Sequence, residues 1–223
     1  DELKQNPNAL HNTKFKMQER AQMINGERPA GCQYCWNIED ADNSPVDGYL
    51  SDRHYRSSEW WAQEAFEEVT KNPWDYDISP RYVEVNFNQA CNFKCAYCSP
   101  HLSTAWEEDI KQFCSFKFAD GNGHNSIDYL EQEGMMPIPG AQRDNPYVEA
   151  FWKWFPDTYK KLRVFRMTGG EPLMDKNTFK VMDYVNENPN AHLDLSITSN
   201  MCPPNQALFD KFIDKLKAIE EVR

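Results

Sequence analysis

The chain has no run of about 18 or more apolar residues, so no segment reads as a membrane-spanning helix. Its start at Asp1 has neither the basic stretch nor the apolar stretch of a signal peptide. It has no internal repeat and no low-complexity tract. Basic residues are in deficit: 24 Lys and Arg against 35 Asp and Glu give a net charge of −11. A non-specific nucleic-acid binder is normally basic, so nucleic acid is not an expected partner. These absences, with the need for reduced thiols, predict a cytoplasmic protein with no membrane partner. The acidic surplus reads as solvated surface.

The 223 residues are enough for one or two domains with a real core, and no disulfide staples are needed. Apolar residues at 40% and charged residues at 26% are ordinary for a globular chain. Seven cysteines are an odd number, and they sit in tight groups. In a chain without an export signal, that grouping favours metal binding over disulfides.

Residues 1–31 are polar and weakly helical around Lys14–Ile24, with Asn25-Gly26 as the stop. Cys32-Gln33-Tyr34-Cys35-Trp36 follows, and then an acidic, turn-rich stretch through Asp47-Gly48. A helix is expected over Ser58–Lys71, capped by Ser57 or Ser58, with Ala62, Ala65, Phe66 and Val69 on one face. Residues 72–80, rich in Pro and Asp, read as a linker.

After Pro80 the pattern changes. Strands are expected at 82–87, 162–167 and 193–198. A helix over 176–187 carries Phe179, Met182 and Val185 in register. Another, capped by Asn205, carries Phe209, Phe212, Leu216 and Ile219. Such alternation implies parallel β/α units. The long connection between the first two strands should hold helices at Ser103–Phe116 and Pro146–Lys161. Between them Gly121–Gly140 reads as an insertion or lid. The expected organisation is an N-terminal cysteine-bearing region, 1–79, and an α/β core, 80–223, with an insertion at about 117–145.

The chemistry centres on Cys91-Asn92-Phe93-Lys94-Cys95-Ala96-Tyr97-Cys98. Three thiolates this close suit zinc or an iron–sulfur cluster. A structural zinc site wants four ligands. A four-iron cluster held by three cysteines leaves one iron free to chelate a ligand. The loop follows a predicted strand. The next two strands end in Thr168-Gly169-Gly170-Glu171-Pro172 and in Thr198-Ser199-Asn200-Met201-Cys202. In a β/α barrel such loops emerge on one face, where active sites are built. Gly169 and Gly170 permit close backbone approach, Glu171 is an acceptor for a cation, and Ser199 and Asn200 add hydrogen-bonding groups.

These motifs resemble those of the radical S-adenosylmethionine (SAM) enzymes. The spacing C-x3-C-x2-C at Cys91, Cys95 and Cys98 is similar to that family's cluster signature. Tyr97 matches its aromatic before the third cysteine, near the adenine. Gly169-Gly170-Glu171-Pro172 resembles its second motif, which holds the methionine amino group of SAM. Ser199-Asn200 falls where the family often contacts the ribose or the methionyl carboxylate. The resemblance covers about residues 80–223. It implies a partial (β/α) barrel of the radical SAM type, here with only about three β/α units. It also implies a 4Fe–4S cluster that reductively cleaves SAM to a 5′-deoxyadenosyl radical, which takes a hydrogen atom from a substrate. The expected partners are a flavodoxin- or ferredoxin-like reductant and a small-molecule or peptide substrate. No residue is assigned as a catalytic acid or base. A full barrel of that family has more β/α units than are counted here, residue 1 is not Met, and the chain ends at Arg223 after a helical pattern. The expectation is a piece of a longer protein.

Cys32 and Cys35 form one C-x-x-C pair, half of a metal site. The run 25–36 resembles the auxiliary-cluster region called SPASM or twitch, which implies a possible second iron–sulfur cluster. The alternative function is a non-catalytic iron–sulfur or zinc protein for electron transfer or scaffolding. In the zinc version, a residue such as His101 completes the three cysteines. A thioredoxin-like role for Cys32–Cys35 fits poorly, because the pair does not sit in a βαβ pattern. Cys114 is expected in the core, Cys202 at the rim without a role, His124 in solvent, and Trp152, Trp154 and Phe155 in packing.

Overall fold

The computed structural model describes residues 2–41, 50–117, 125–137 and 145–222. In chain order the helices are α1 (Glu2–Gln5), α2 (Lys14–Ile24), α3 (Gln33–Glu39), α4 (Asp52–Ser57) and α5 (Ala62–Lys71). Strand β1 (Tyr82–Asn86) precedes α6 (Thr104–Phe113), α7 (Ile127–Gln132) and α8 (Pro146–Tyr159). Then come β2 (Val164–Thr168), α9 (Lys176–Glu187), β3 (Asp194–Ile197) and α10 (Gln206–Val222). The fold is mixed α/β, with one three-stranded parallel sheet in the order β1-β2-β3. Among the described residues no helix is long and apolar enough to cross a membrane.

The chain forms two compact units. The first is 1–82 with 146–164, and the second is 83–145 with 165–223. Helix α8 therefore clusters with the N-terminal segment, although its position in sequence lies between the first two strands. Its apolar stripe (Ala150, Phe151, Trp154, Phe155 and Tyr159) is buried, and it contacts α1 and the turn Pro7–Leu10. The three aromatics expected to pack are in contact there: Phe155 meets the rings of both Phe151 and Trp152, and Trp154 lies beside Phe151.

In the first unit, residues 72–80 are not a free linker. Ile78 is buried, its carbonyl accepts from Asn12 Nδ2 at 2.8 Å, and Asp77 accepts from Asn8 Nδ2 at 3.1 Å. The apolar side chain at 78 makes this Pro- and Asp-rich stretch a packed segment. The helix expected over Ser58–Lys71 is present but starts later, at Ala62. Serine 58 ends α4, its hydroxyl donating to the Tyr55 carbonyl at 2.7 Å, and α5 starts at Ala62 without a side-chain cap. The apolar face of α5 buries no residue, and Phe66 is 60% exposed.

Ion pairs organise this unit. Arg81, whose side chain is 9% exposed, donates to Glu68 at 2.5 Å and to Glu64 at 3.4 Å. Lys161 adds a pair to Glu68 and Arg163 one to Glu64, each at 3.0 Å. Burial raises the Glu68 pKa, but the hydrogen bonds from Arg81 and Lys161 outweigh it and hold the group below its ordinary range. Trp36 is buried, with the guanidinium carbons of Arg28 and Arg53 5.2 and 4.6 Å from its ring centroid.

The second unit holds the sheet and α9 and α10. Strand β2 is its centre, with Phe165 and Met167 fully buried. Phe179, Met182 and Val185 of α9 and Phe212 and Ile219 of α10 are buried, as their spacing predicts, whereas Leu216 is 37% exposed. Asn205 Oδ1 accepts from Leu208 N at 3.0 Å, the expected cap. Helix α6 stops early, because Cys114 adopts φ 69°. Its side chain is exposed rather than in the core, and Phe113 and Phe116 are exposed with it. Of the expected lid, 125–137 contains α7, anchored by buried Leu130. The rest of the lid lies outside the described residues, as do Asp47-Gly48 and His124.

One prediction concerns acid stability. The hydrogen bond from Arg53 is the main influence on Glu39; burial opposes it and the Ser51 hydroxyl assists. The net effect is a pKa of about 2, against an ordinary 4.5. A depressed carboxylate stabilises the fold above its unfolded value, and that contribution disappears as pH falls through the folded value. Wild type should melt above Glu39→Gln at neutral pH, and the gap should close as pH falls from 4.5 to about 2. Melting curves of both proteins across that range check it; a pH-independent gap would contradict it.

Candidate functional site

The candidate site lies within the second unit, where the chain leaves β1, β2 and β3. The cysteine loop after β1 is pinned to the start of α6. Thr104 is reciprocal with Cys91: its Oγ1 accepts from Cys91 N at 3.1 Å and donates to Cys91 O at 3.0 Å. Ser103, fully buried, caps α6 at Trp106 N, and its hydroxyl donates to Phe93 O at 2.8 Å. Trp106 Nε1 donates to Cys95 O at 2.9 Å. Two backbone-to-thiol and backbone turns fold the loop on itself: Phe93 N donates to Cys91 Sγ at 3.4 Å, and Cys98 N to Cys95 O at 2.9 Å.

All seven cysteines are free thiols, and Cys91, Cys95 and Cys98 are half-buried. The Cys98 thiol is pushed up first by burial and further by the charges of Cys91 and Cys95, against a lowering hydrogen bond at Ser99. The three thiols share the loop after β1. They are not closed around a point: among the described residues no group of three or more His, Cys, Asp or Glu side chains is placed to hold a metal ion. Tyr97 is 93% exposed, and its phenol is pushed up by a hydrogen bond with Cys95 and by the Cys95 charge. His101 sits in the turn Pro100–Leu102, its Nδ1 2.9 Å from Ser99 Oγ. Burial lowers its pKa, and it does not complete a ligand group with the cysteines.

The loop after β2 rests on the root of the cysteine loop. A Cβ at Gly169 (φ 114°) would fall on the side chain of Asn86, and one at Gly170 on the Ala90 carbonyl. Gly170 N donates to Asn88 O at 3.3 Å, and Glu171 N to Ala90 O at 2.7 Å. The glycines thus serve loop-on-loop contact in this structure. Glu171 is 1% exposed. Its Oε1 accepts from Leu173 N at 2.9 Å and Ser199 Oγ at 2.7 Å, and its Oε2 from Asn200 N at 2.7 Å. Three of about four carboxylate acceptor positions are filled by the protein. This one side chain joins the loops after β2 and β3, while its backbone holds the loop after β1.

Asn88 and Asp175, which the sequence did not single out, form a second tie. Asn88 Nδ2 donates to Asp175, and Asp175 Oδ1 caps α9 through Asn177 N at 2.6 Å. Buried Gln89 turns its Nε2 to Glu107 at 2.5 Å, which leaves its Oε1 without a donor. The Asn-Gln run beside the first cysteine and the Ser-Thr pair at the start of α6 were the available signals for these residues. In the first unit, Cys32 ends the turn Ala30–Cys32, and Cys35 lies in α3. Burial raises the Cys32 thiol, with the Glu19 and Cys35 charges adding to it and Arg53 opposing. No further described residue joins the two as a metal-holding group.

The site is therefore a strand-end constellation on an α/β fold, with three thiols on one loop. In kind, that donor set fits an iron–sulfur group. No family model matches the chain, and neither the curated proteins nor the solved structures give a match.

Two substitutions test the loop junction. Gly170→Ala places a methyl on the Ala90 carbonyl, a backbone group that yields little, and should cost about 1–3 kcal/mol as overpacking. Glu171→Gln faces an amide NH2 toward donors and should cost about 1–3 kcal/mol as a broken buried bond. Urea unfolding should show both losses; unchanged midpoints would mean that the loops are not joined this way.

Proposed function

We propose that this chain is a radical SAM protein. In this reading Cys91, Cys95 and Cys98 hold a 4Fe–4S cluster, and the backbone of Gly169–Glu171 with Ser199 and Asn200 receives SAM. The convergence of the three strand-end loops about Glu171 carries the reading. Motifs far apart in sequence, at 91–98, 169–172 and 199–200, meet in one unit. The cluster, once bound, would supply the electron for reductive cleavage of SAM. The chain's own residues bind and orient. The thiols must lose their protons to ligate, and Phe93 N already donates to the Cys91 sulfur. Tyr97 offers an exposed ring next to the third cysteine. Gln89 Oε1 is a buried acceptor two residues before the first cysteine, available to a donor. Supporting partners are a flavodoxin- or ferredoxin-like reductant and a small-molecule or peptide substrate. The barrel architecture and an auxiliary cluster at Cys32 and Cys35 belong to the same proposal.

One observation favours the second reading, a non-catalytic iron–sulfur or zinc protein. Cys202 is exposed, and its carbonyl accepts from Asn92 Nδ2, on the residue after Cys91, at 2.7 Å. That brings the backbone of a fourth cysteine beside the three-cysteine loop, and in this reading its thiolate would complete a closed four-ligand site.

Anaerobic reconstitution with iron and sulfide separates the two. The EPR spectrum of the dithionite-reduced protein should change on addition of SAM, and 5′-deoxyadenosine should form. About four irons per chain should be lost in Cys91→Ala, with any remainder lost in Cys32→Ser/Cys35→Ser. A cluster signal indifferent to SAM, with no deoxyadenosine and a site disrupted by Cys202→Ser, would establish the second reading.

A further inference from the structure

We propose that Asn92 is a positioning residue that couples the cysteine loop to the turn after β3, so that ordering one orders the other. Asn92 directly follows Cys91, yet both ends of its amide are used by the other loop. Its Nδ2 donates to Cys202 O at 2.7 Å, and its Oδ1 accepts from Asn200 Nδ2 at 3.1 Å. The orientations are fixed by chemistry. A carbonyl only accepts, so the NH2 of Asn92 must face Cys202 O. Its oxygen is then left for the NH2 of Asn200, whose own oxygen accepts from Cys202 N at 2.8 Å. The turn so held contains Met201 at φ 58°, the left-handed region. A non-glycine residue keeps that conformation only where its surroundings over-determine it. Met201 N donates to Ser199 Oγ at 2.8 Å, and Asn200 N to Glu171. Glu171 holds the turn from the β2 side, and Asn92 holds it from the cysteine loop.

The bonds of Asn92 are exposed, so they add little to global stability. Their consequence is local order at Ser199–Cys202, the segment proposed to receive SAM. The inference rests on that reading only for its ligands: a metal group that orders the cysteine loop, and SAM that meets the turn. Aspartate is the sharp substitution. It keeps the size of Asn92 and the acceptor for Asn200, but it sets a carboxylate oxygen against the Cys202 carbonyl.

The test uses the full chain with Asn92→Ala and Asn92→Asp. Amide exchange over 198–202 should quicken by about tenfold in both variants, the scale of one or two net hydrogen bonds. Exchange in 164–168 and the unfolding midpoint should stay as in wild type. Reconstitution with iron and sulfide should slow exchange of the turn in wild type but not in the variants. Iron content should be unchanged, and the SAM concentration that half-completes the EPR change should rise by about tenfold. Wild-type exchange and wild-type SAM titration in the variants would overturn the proposal, as would loss of iron or of global stability, which would make Asn92 a residue of loop folding only. If wild-type protein holds no cluster or ignores SAM, the preceding reading fails, and the exchange comparison in the metal-free chain still decides the coupling.

Discussion

Glu171 carries a carboxylate at 1% exposure, just beyond the central strand of the sheet that the described residues form. Burying an unpaired charge would be costly, and only dense hydrogen bonding offsets it. Leu173 N, Ser199 Oγ and Asn200 N supply that bonding, and they come from two different loops. The charge can be buried only when those loops are in place. Other features follow from that requirement. The backbone of Glu171 must reach Ala90, so Gly169 and Gly170 must lack side chains. Ser199 and Asn200 must turn inward, which brings Met201 into a left-handed conformation and Cys202 toward Asn92.

The two units meet the cost of buried charge differently. In the first, opposite charges neutralise one another: Arg81 sits among Glu64 and Glu68, and Arg53 grips Glu39. In the second, buried Glu171 and Asp175 are satisfied mainly by neutral donors from backbone and side chains. The thiols share that setting. They are half-buried free thiols, near enough for Cys98 to respond to the other two.

The regular elements of the second unit were legible because their periodicity is strong. Phe179, Met182 and Val185 recur at helical spacing and are buried, and the alternation at 82–87 becomes β1. Misreadings came where local propensity met tertiary context. Ser58 does not cap α5, because it already closes the C-terminus of α4. Cys114 is not in the core, because its left-handed backbone ends α6 a turn early. Residues 72–80 have linker composition but also Ile78, whose burial pins them. At the site, the cysteines, the Gly-Gly-Glu-Pro run and Ser199-Asn200 stood out by residue type and spacing. Asn88, Asn92, Ser103, Thr104 and Asp175 did not, because a polar residue in a loop looks alike whether it is solvated or spans two loops.

Sequence alone determined which chemistry is available: three thiols on one loop, a glycine pair, a carboxylate, and strands alternating with helices. Residue type and spacing are local properties, and local patterns suffice to state them. Tertiary structure alone decided how these groups are used. It assigned α8 to the N-terminal unit, gave the glycines to contact between loops, and turned the Glu171 carboxylate onto Ser199 and Asn200. Those outcomes depend on bonds between residues tens of positions apart, and around Glu171 burial makes an unsatisfied partner costly.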